Sequence, residues 1–343
     1  MASELLHTDP PGGGSVLAFP ASTLLAEAMP LQRLRPTLHL HLTDHTYVPK
    51  VTLPRSDWVS AVALPAFLTY RARYQGAGEG GTVGLIGTGA GLDALAAIEV
   101  LAPTRVLVTD LHHDVVAAAV RNIRENLLEP RTVQVEGMVG SLGAPLLDGQ
   151  ETVDLLYENL PNIPLPDGFD LFSSHHSSHF VRASGGDVPA AVTRDLLELH
   201  FLFLCQALPL LNAGGRVLCA IGCRRPLASL LALPQQVGFD TRLLLYTWKL
   251  QADAQEMVQG YAAHQQRGGG PFHFYRIETL ERIFGSRSLV TTAEQALGLE
   301  QALHAEAVDA AEALQLLEAG VLLGHTVAVI EASSRTDARF LRI

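Results

Sequence analysis

Residues 83–93, VGLIGTGAGLD, constrain this chain more than any other stretch. An apolar run reaches Ile86 and breaks into Gly87-Thr88-Gly89-Ala90-Gly91. A second apolar run, RVLVTD, ends on Asp110. The order reads as strand, glycine turn, helix, strand, carboxylate, an arrangement that holds a nucleotide-like cofactor at the edge of a parallel sheet. Glycines admit positive φ, let backbone approach a ligand closely, and leave the N–H groups of the following helix facing it. Asp110 can accept hydrogen bonds from a ribose diol. A plain tight turn before a helix would use the same glycines, so the run by itself leaves both readings open.

The rest of the chain supplies the alternation that a doubly covered parallel sheet needs. Strands are expected at 82–86, 105–109, 132–135, 153–157, 216–221, 241–250 and 325–331. Helices are expected at 91–101, 114–128, 192–211 and 226–237, the third closed by Asn212-Ala213-Gly214-Gly215 as a C-cap. Before them, 21–34 and 58–74 read as helices and 39–53 as short strands. This gives a flexible tail at 1–19, a substrate-side unit of helices and strands at 20–75, and a Rossmann-like α/β domain at 76–343. The domain carries a lid insertion at about 168–190 and a helical insertion at about 251–322. The helical insertion has no Lys or Arg after Arg287. It is expected as a packed cap or a dimer surface, which leaves a homodimer open as a partner.

Composition narrows the partners. The formal net charge is -11, which argues against a broad phosphate-binding surface and so against nucleic acid. Cys205, Cys219 and Cys223 lie in apolar sequence and read as buried thiols of a reducing compartment. The N-terminus lacks a basic segment followed by an apolar core, and no apolar stretch is long enough to span a bilayer. A cytoplasmic protein acting on a small molecule, away from membranes, is the expectation.

With these elements placed, residues 80–250 and 325–332 resemble the class I S-adenosylmethionine-dependent methyltransferases. Gly87, Thr88, Gly89 and Gly91 match the family's cofactor loop, and Asp110 its ribose-binding acid. TDLHHDVVAAAVRN, 109–122, is similar to the segment in which that acid precedes a helix ending in Asn. Asn159-Leu160-Pro161-Asn162-Ile163-Pro164 resembles the Asn-Pro-Pro-Tyr-Ile-Pro motif of the release-factor glutamine methyltransferases. Leu53-Pro54-Arg55-Ser56-Asp57 resembles their Ile-Pro-Arg-Pro-Glu segment. The resemblance implies S-adenosyl-L-methionine as cofactor, S-adenosyl-L-homocysteine as product, and contacts from Leu111, Met138 and Asn159 as well. Three departures stand out: Leu85 replaces an acid before the first glycine, Met138 replaces the adenine-side acid, and Asn162 replaces the aromatic that stacks over a planar substrate.

Methyl transfer rests on positioning and desolvation, and needs a base only where the acceptor carries a proton that must leave. Asn159 is the candidate for orienting the acceptor. The segment 172–180, FSSHHSSHF, offers His175, His176 and His179 as bases from a lid, though a polar surface loop would carry the same residues. No metal is expected there, because no firm carboxylate partner accompanies the histidines. His39, His41, His45, His112, His113, Arg55, Trp58, Arg224-Arg225, Tyr157 and the aromatic run 272–275 are secondary candidates, with Arg224-Arg225 open to an acidic group or to plain solvation. The expected reaction is methyl transfer to a small planar or aromatic metabolite. Two alternatives stay open, protein glutamine N-methylation and base-assisted ring closure of a sulfonium substrate.

Overall fold

The structure, a computed structural model, describes residues 6–8, 15–25, 30–74, 79–162 and 188–335. The strands are β1 (Leu6–Thr8), β2 (Ser15–Pro20), β3 (Thr37–Leu42), β4 (Thr82–Ile86), β5 (Arg105–Asp110), β6 (Gln134–Val139), β7 (Val153–Glu158), β8 (Leu211–Gly222), β9 (Phe239–Leu250), β10 (Tyr275–Arg276) and β11 (Leu323–Ser334). β1, β2 and β3 form a small antiparallel sheet. The remainder form an eight-stranded sheet in which β6, β5, β4, β7, β8 and β11 are successive neighbours and β9 pairs with the outer edge of β11. β4 pairs in parallel with both β5 and β7, whereas β11 runs against β8 and β9. Strand order therefore reverses at β4, and a crevice opens beyond the C-terminal ends of β4 and β7.

Each face of the sheet carries its own apolar layer. Val83, Leu85, Val108 and Val327 pack against the Leu64–Arg73 and Leu92–Leu101 helices and against Leu24, Leu38 and Leu40 of the N-terminal unit. Leu156, Val217, Tyr246 and Ile330 pack on the other side against the Glu198–Ala207 and Leu227–Gln236 helices. A third cluster, with Val258, Tyr261, Phe272, Phe274 and Ala313, closes the helical insertion on itself. The insertion, the cap of the domain, includes the Ala254–Gln266 and Ala310–Glu318 helices and the segments between them.

Several elements differ from the sequence expectation for identifiable reasons. Ser15–Pro20 is a strand, where a flexible tail through residue 19 is expected, because its backbone pairs with β3. The helix expected over 21–34 is described only at Ser22–Leu25. Pro30 and Pro36 disfavour its continuation, and the buried Glu99 carboxylate accepts the backbone N–H groups of Gln32, Arg33 and Leu34 at 2.6, 3.0 and 2.9 Å. Residues 47–53 form no strand, and Tyr47 and Pro49 among them line the crevice. The single helix expected over 192–211 breaks into Ala190–Arg194 and Glu198–Ala207 at Leu196, whose φ is 59°. Asn212-Ala213-Gly214-Gly215 belongs to β8 and caps no helix. Cys205 is exposed, while Cys219 and Cys223 are buried. No helix among the described residues is long and apolar enough to cross a membrane.

Two asparagines fix the N-terminal unit to the domain. Asn122 and Asn126 lie one turn apart on the His113–Asn126 helix and are fully buried. Asn126 accepts from His39 N–H at 2.8 Å and donates to His39 O at 2.8 Å. Asn122 accepts from His41 N–H at 2.7 Å and donates to His41 O and to Ala90 O, each at 3.0 Å. One amide thus ties β3 to the glycine loop. Asn122→Ala strands buried backbone groups, and each such loss costs about 1–3 kcal/mol. Urea unfolding is expected to show a destabilisation of about 2 kcal/mol or more, and a change below about 0.5 kcal/mol would refute the tie.

Candidate active site

The crevice begins at the turn after β4. Gly87, Gly89 and Gly91 have φ of 71°, 51° and 85°, a region that L side chains enter only at a cost. A Cβ on Gly91 would also meet Ala119 O at 3.2 Å. The loop is drawn towards β5, since Gly87 N–H and Thr88 N–H both donate to Thr109 O at 2.9 Å. Gly89 N–H donates to Asp110 Oδ2 at 3.1 Å. Asp110 is nearly buried, and burial raises its carboxyl above the ordinary value against the opposing pull of the Gly89 and His112 backbone N–H groups. The carboxylate is thus already part of the loop's support.

Beyond the loop lies a cleft walled by Tyr47 and Trp58 of the N-terminal unit, by Asn159–Asn162 after β7, and by Arg224, Lys249 and His325 at the far side. The Asn159 turn is set from beneath. Glu158 is buried, accepts Leu160 N–H at 3.0 Å and faces His200 Nδ1 at 2.8 Å. Asn162 is not offered to a ligand as a free amide. Its Nδ2 donates to Gly222 O at 3.2 Å, and its backbone O accepts from Tyr261 OH at 2.6 Å.

Charged groups of both signs line the cleft. Near the loop, Asp57 is buried and accepts Val59 N–H at 2.8 Å and Lys50 N–H at 3.0 Å. Asp93, the second residue of the Leu92–Leu101 helix, has an enclosed Oδ1 without a partner. Burial, then the charge of Asp57, pushes its carboxyl up to about 7. At the far side, burial and the neighbouring Arg224 bring Lys249 down to about 7. Burial, then Arg224 and Lys249, hold His325 well below the ordinary imidazole value, so the ring is neutral at neutral pH.

The structure gathers some of the sequence candidates and separates others. Gly87, Thr88, Gly89 and Asn159 line the cleft. Gly91 and Asp110 support the loop from behind. Leu111 is exposed, and Met138 packs against the apolar layer on the second face of the sheet. His175, His176 and His179 lie outside the described residues. Arg224 and Arg225 part company, for Arg224 enters the cleft while Arg225 pairs with Asp195 at 3.0 Å. Arg55 lies over the Trp248 ring, 3.9 Å from its centroid. Tyr157 packs on Phe67, and Phe272 and Phe274 pack on Tyr261. His45 stacks on His112 with ring centroids 4.3 Å apart and faces Asp114 at 3.0 Å. Asp93, Lys249 and His325 are site residues that sequence reasoning passes over. Each sits in an apolar strand or helix segment, and a polar side chain in an apolar run is the signal they leave.

No family model matches the sequence, and no curated protein matches it. Among solved structures, a methyltransferase from Pyrococcus furiosus is 16% identical with a TM-score of 0.36, covering 58% of this chain and 80% of its own. A ribosomal protein L11 methylase from Lactobacillus delbrueckii subsp. bulgaricus is 21% identical with a TM-score of 0.33, covering 52% of this chain and 67% of its own. A precorrin-6y C5,15-methyltransferase from Geobacter metallireducens is 10% identical with a TM-score of 0.36, covering 79% and 86%. The fold is Rossmann-like, of the methyltransferase kind, and its own strand order carries that statement: β4 at the switch point and one reversed strand, β11, set between β8 and β9.

Asp93 makes stability depend on pH in the ligand-free protein. Its carboxyl ionises near 4 in the unfolded chain and at about 7 in the folded one. Ionisation therefore favours unfolding, with no cost below pH 4, a growing cost from 4 to 7, and the full cost above 7. Asp93→Asn is expected to be more stable than the parent at pH 7.5, on the order of 2 kcal/mol, with the two converging at pH 4. Thermal unfolding across that range tests this, and a constant difference at all pH values would overturn it.

Proposed function

We propose that this protein transfers the methyl group of S-adenosylmethionine to a small molecule bound in the cleft. One observation carries the reading. A left-handed glycine turn, held by Asp110, sits at the strand-order reversal and opens into a cleft lined by charges of both signs. The residues present fit the cofactor. Thr88 Oγ1 and Asp93 Oδ1 are enclosed polar atoms without partners, and a cationic ligand bearing an ammonium and hydroxyl groups would satisfy both. Gly87 and Gly89 admit its backbone contacts, Asp110 holds the loop through Gly89 N–H, and Asp57 and Asp93 provide carboxylates that favour its positive charges.

When bound, the cofactor supplies an electrophilic methyl on sulfur. The chain's own part is placement. Asn159 borders both loop and cleft and presents an amide to an acceptor heteroatom. Trp58 offers a flat apolar wall, which supports a planar or aromatic acceptor. The walls from the N-terminal unit and the Ala254–Gln266 helix shed water from an acceptor lodged between them. Glutamine methylation of a protein is less well supported, because the position of the stacking aromatic is Asn162, whose side chain is committed to Gly222 O.

Calorimetry with S-adenosylhomocysteine tests the reading. Binding is expected, and Asp110→Ala should weaken it at least tenfold, about 1.4 kcal/mol, while the far-ultraviolet dichroism stays native. No heat with either S-adenosylmethionine or S-adenosylhomocysteine would overturn it.

A further inference from the structure

The far wall of the cleft holds three nitrogen-bearing side chains on three different strand ends. Arg224 follows β8, Lys249 lies near the end of β9, and His325 near the start of β11. All are buried, with 3%, 1% and 0% of their surface exposed. Arg224 stacks on Tyr261 and Phe274, 4.8 and 5.6 Å from the ring centroids. Its Nη2 donates to Gln251 Oε1 at 2.7 Å and lies 3.1 Å from His325 Nε2. Among the described residues its enclosed Nε and Nη1 have no partner, and Lys249 donates only to the carbonyl of Leu250, at 3.2 Å. Lys249 sits 5.1 Å from the Trp58 ring centroid. Among the described residues no carboxylate is paired with Arg224 or Lys249, although Asp57 and Asp253 stand nearby. Cation–π contacts offset part of the cost of burying a guanidinium, and unfilled donors of a buried charge leave more to recover.

We propose that Arg224 and Lys249 form a carboxylate-binding subsite for the acceptor, with His325 positioning the guanidinium and Trp58 covering the apolar part of the same molecule. The inference rests on the methyl-transfer reading and adds the acceptor's class: a small carboxylic acid with a flat apolar body. The cofactor's own carboxylate is the rival occupant. It is disfavoured by place, since the glycine loop follows β4, and β7 stands between that strand and β8.

Lys249 also makes the subsite sensitive to pH. The groups acting on it are Arg224 and Lys50, which repel its charge, and Asp57 and Asp253, which support it, with the neutral His325 ring adjoining. A bound carboxylate favours the protonated amine, so affinity is expected to fall as pH rises above 7.

The test uses the full chain saturated with S-adenosylhomocysteine, titrated calorimetrically with benzoate and phenylacetate and with their neutral amides. At least one acid is expected to bind tenfold or more tighter than its amide. Arg224→Met and Lys249→Met should each remove that preference while the heat of S-adenosylhomocysteine binding persists, which also shows that the variants are folded. If Arg224→Met does not fold, Lys249→Met and the fall in affinity between pH 6.5 and 8.5 decide the matter. Acids and amides binding alike, no acid binding at millimolar concentration, acid binding unchanged in Lys249→Met, or acid binding only when S-adenosylhomocysteine is absent would each overturn the subsite. Selective acid binding without any heat from S-adenosylhomocysteine would keep the subsite and remove the cofactor reading.

Discussion

The cleft depends on one turn of backbone. Between β4 and the Leu92–Leu101 helix the chain must reverse through three left-handed residues, and it is held there from two sides. Thr109 O and Asp110 take the loop's N–H groups from the neighbouring strand, and Asn122 takes Ala90 O from the neighbouring helix. Neither support is local in sequence. Together they leave the loop little freedom, so a ligand that binds there does not have to order it first.

The same network joins the cleft's walls to its floor. Asn122 bonds both the loop and β3, so the N-terminal unit is in register with the turn. Across the cleft, Tyr261 of the cap bonds the backbone of Asn162 and stacks on Arg224. The helical insertion therefore does more than bury its own apolar side chains. It fixes a guanidinium against the ends of β8 and β11. Substrate specificity in a fold of this type can come from such additions while the sheet and loop stay unchanged.

The cleft carries charges of both signs, Asp57, Asp93 and Asp253 together with Arg224 and Lys249. Burial makes them costly when the cleft is empty, driving Asp93 towards its neutral acid and Lys249 towards its neutral amine. Ligands of opposite charge would restore the charged forms. This is an economical way for low-dielectric surroundings to favour one pair of partners over others.

The alternating strands and helices from β4 onward were legible in the linear pattern, because period and glycine punctuation are local properties. So was the loop, with Asp110 one strand later. The sequence also marked the stretch before the last strand as a helical insertion. It did not determine that Ser15–Pro20 pairs with β3, since pairing is decided by a partner strand distant in the chain. Nor did it show which of two adjacent arginines enters the cleft. Arg225 meets Asp195 at a break in a helix, Arg224 meets Tyr261 of the cap, and only the packed structure sets those encounters. Asp93, Lys249 and His325 became a site for the same reason. A side chain's neighbours come from strand order and layer packing, whereas sequence pattern records only which face of its own element it occupies.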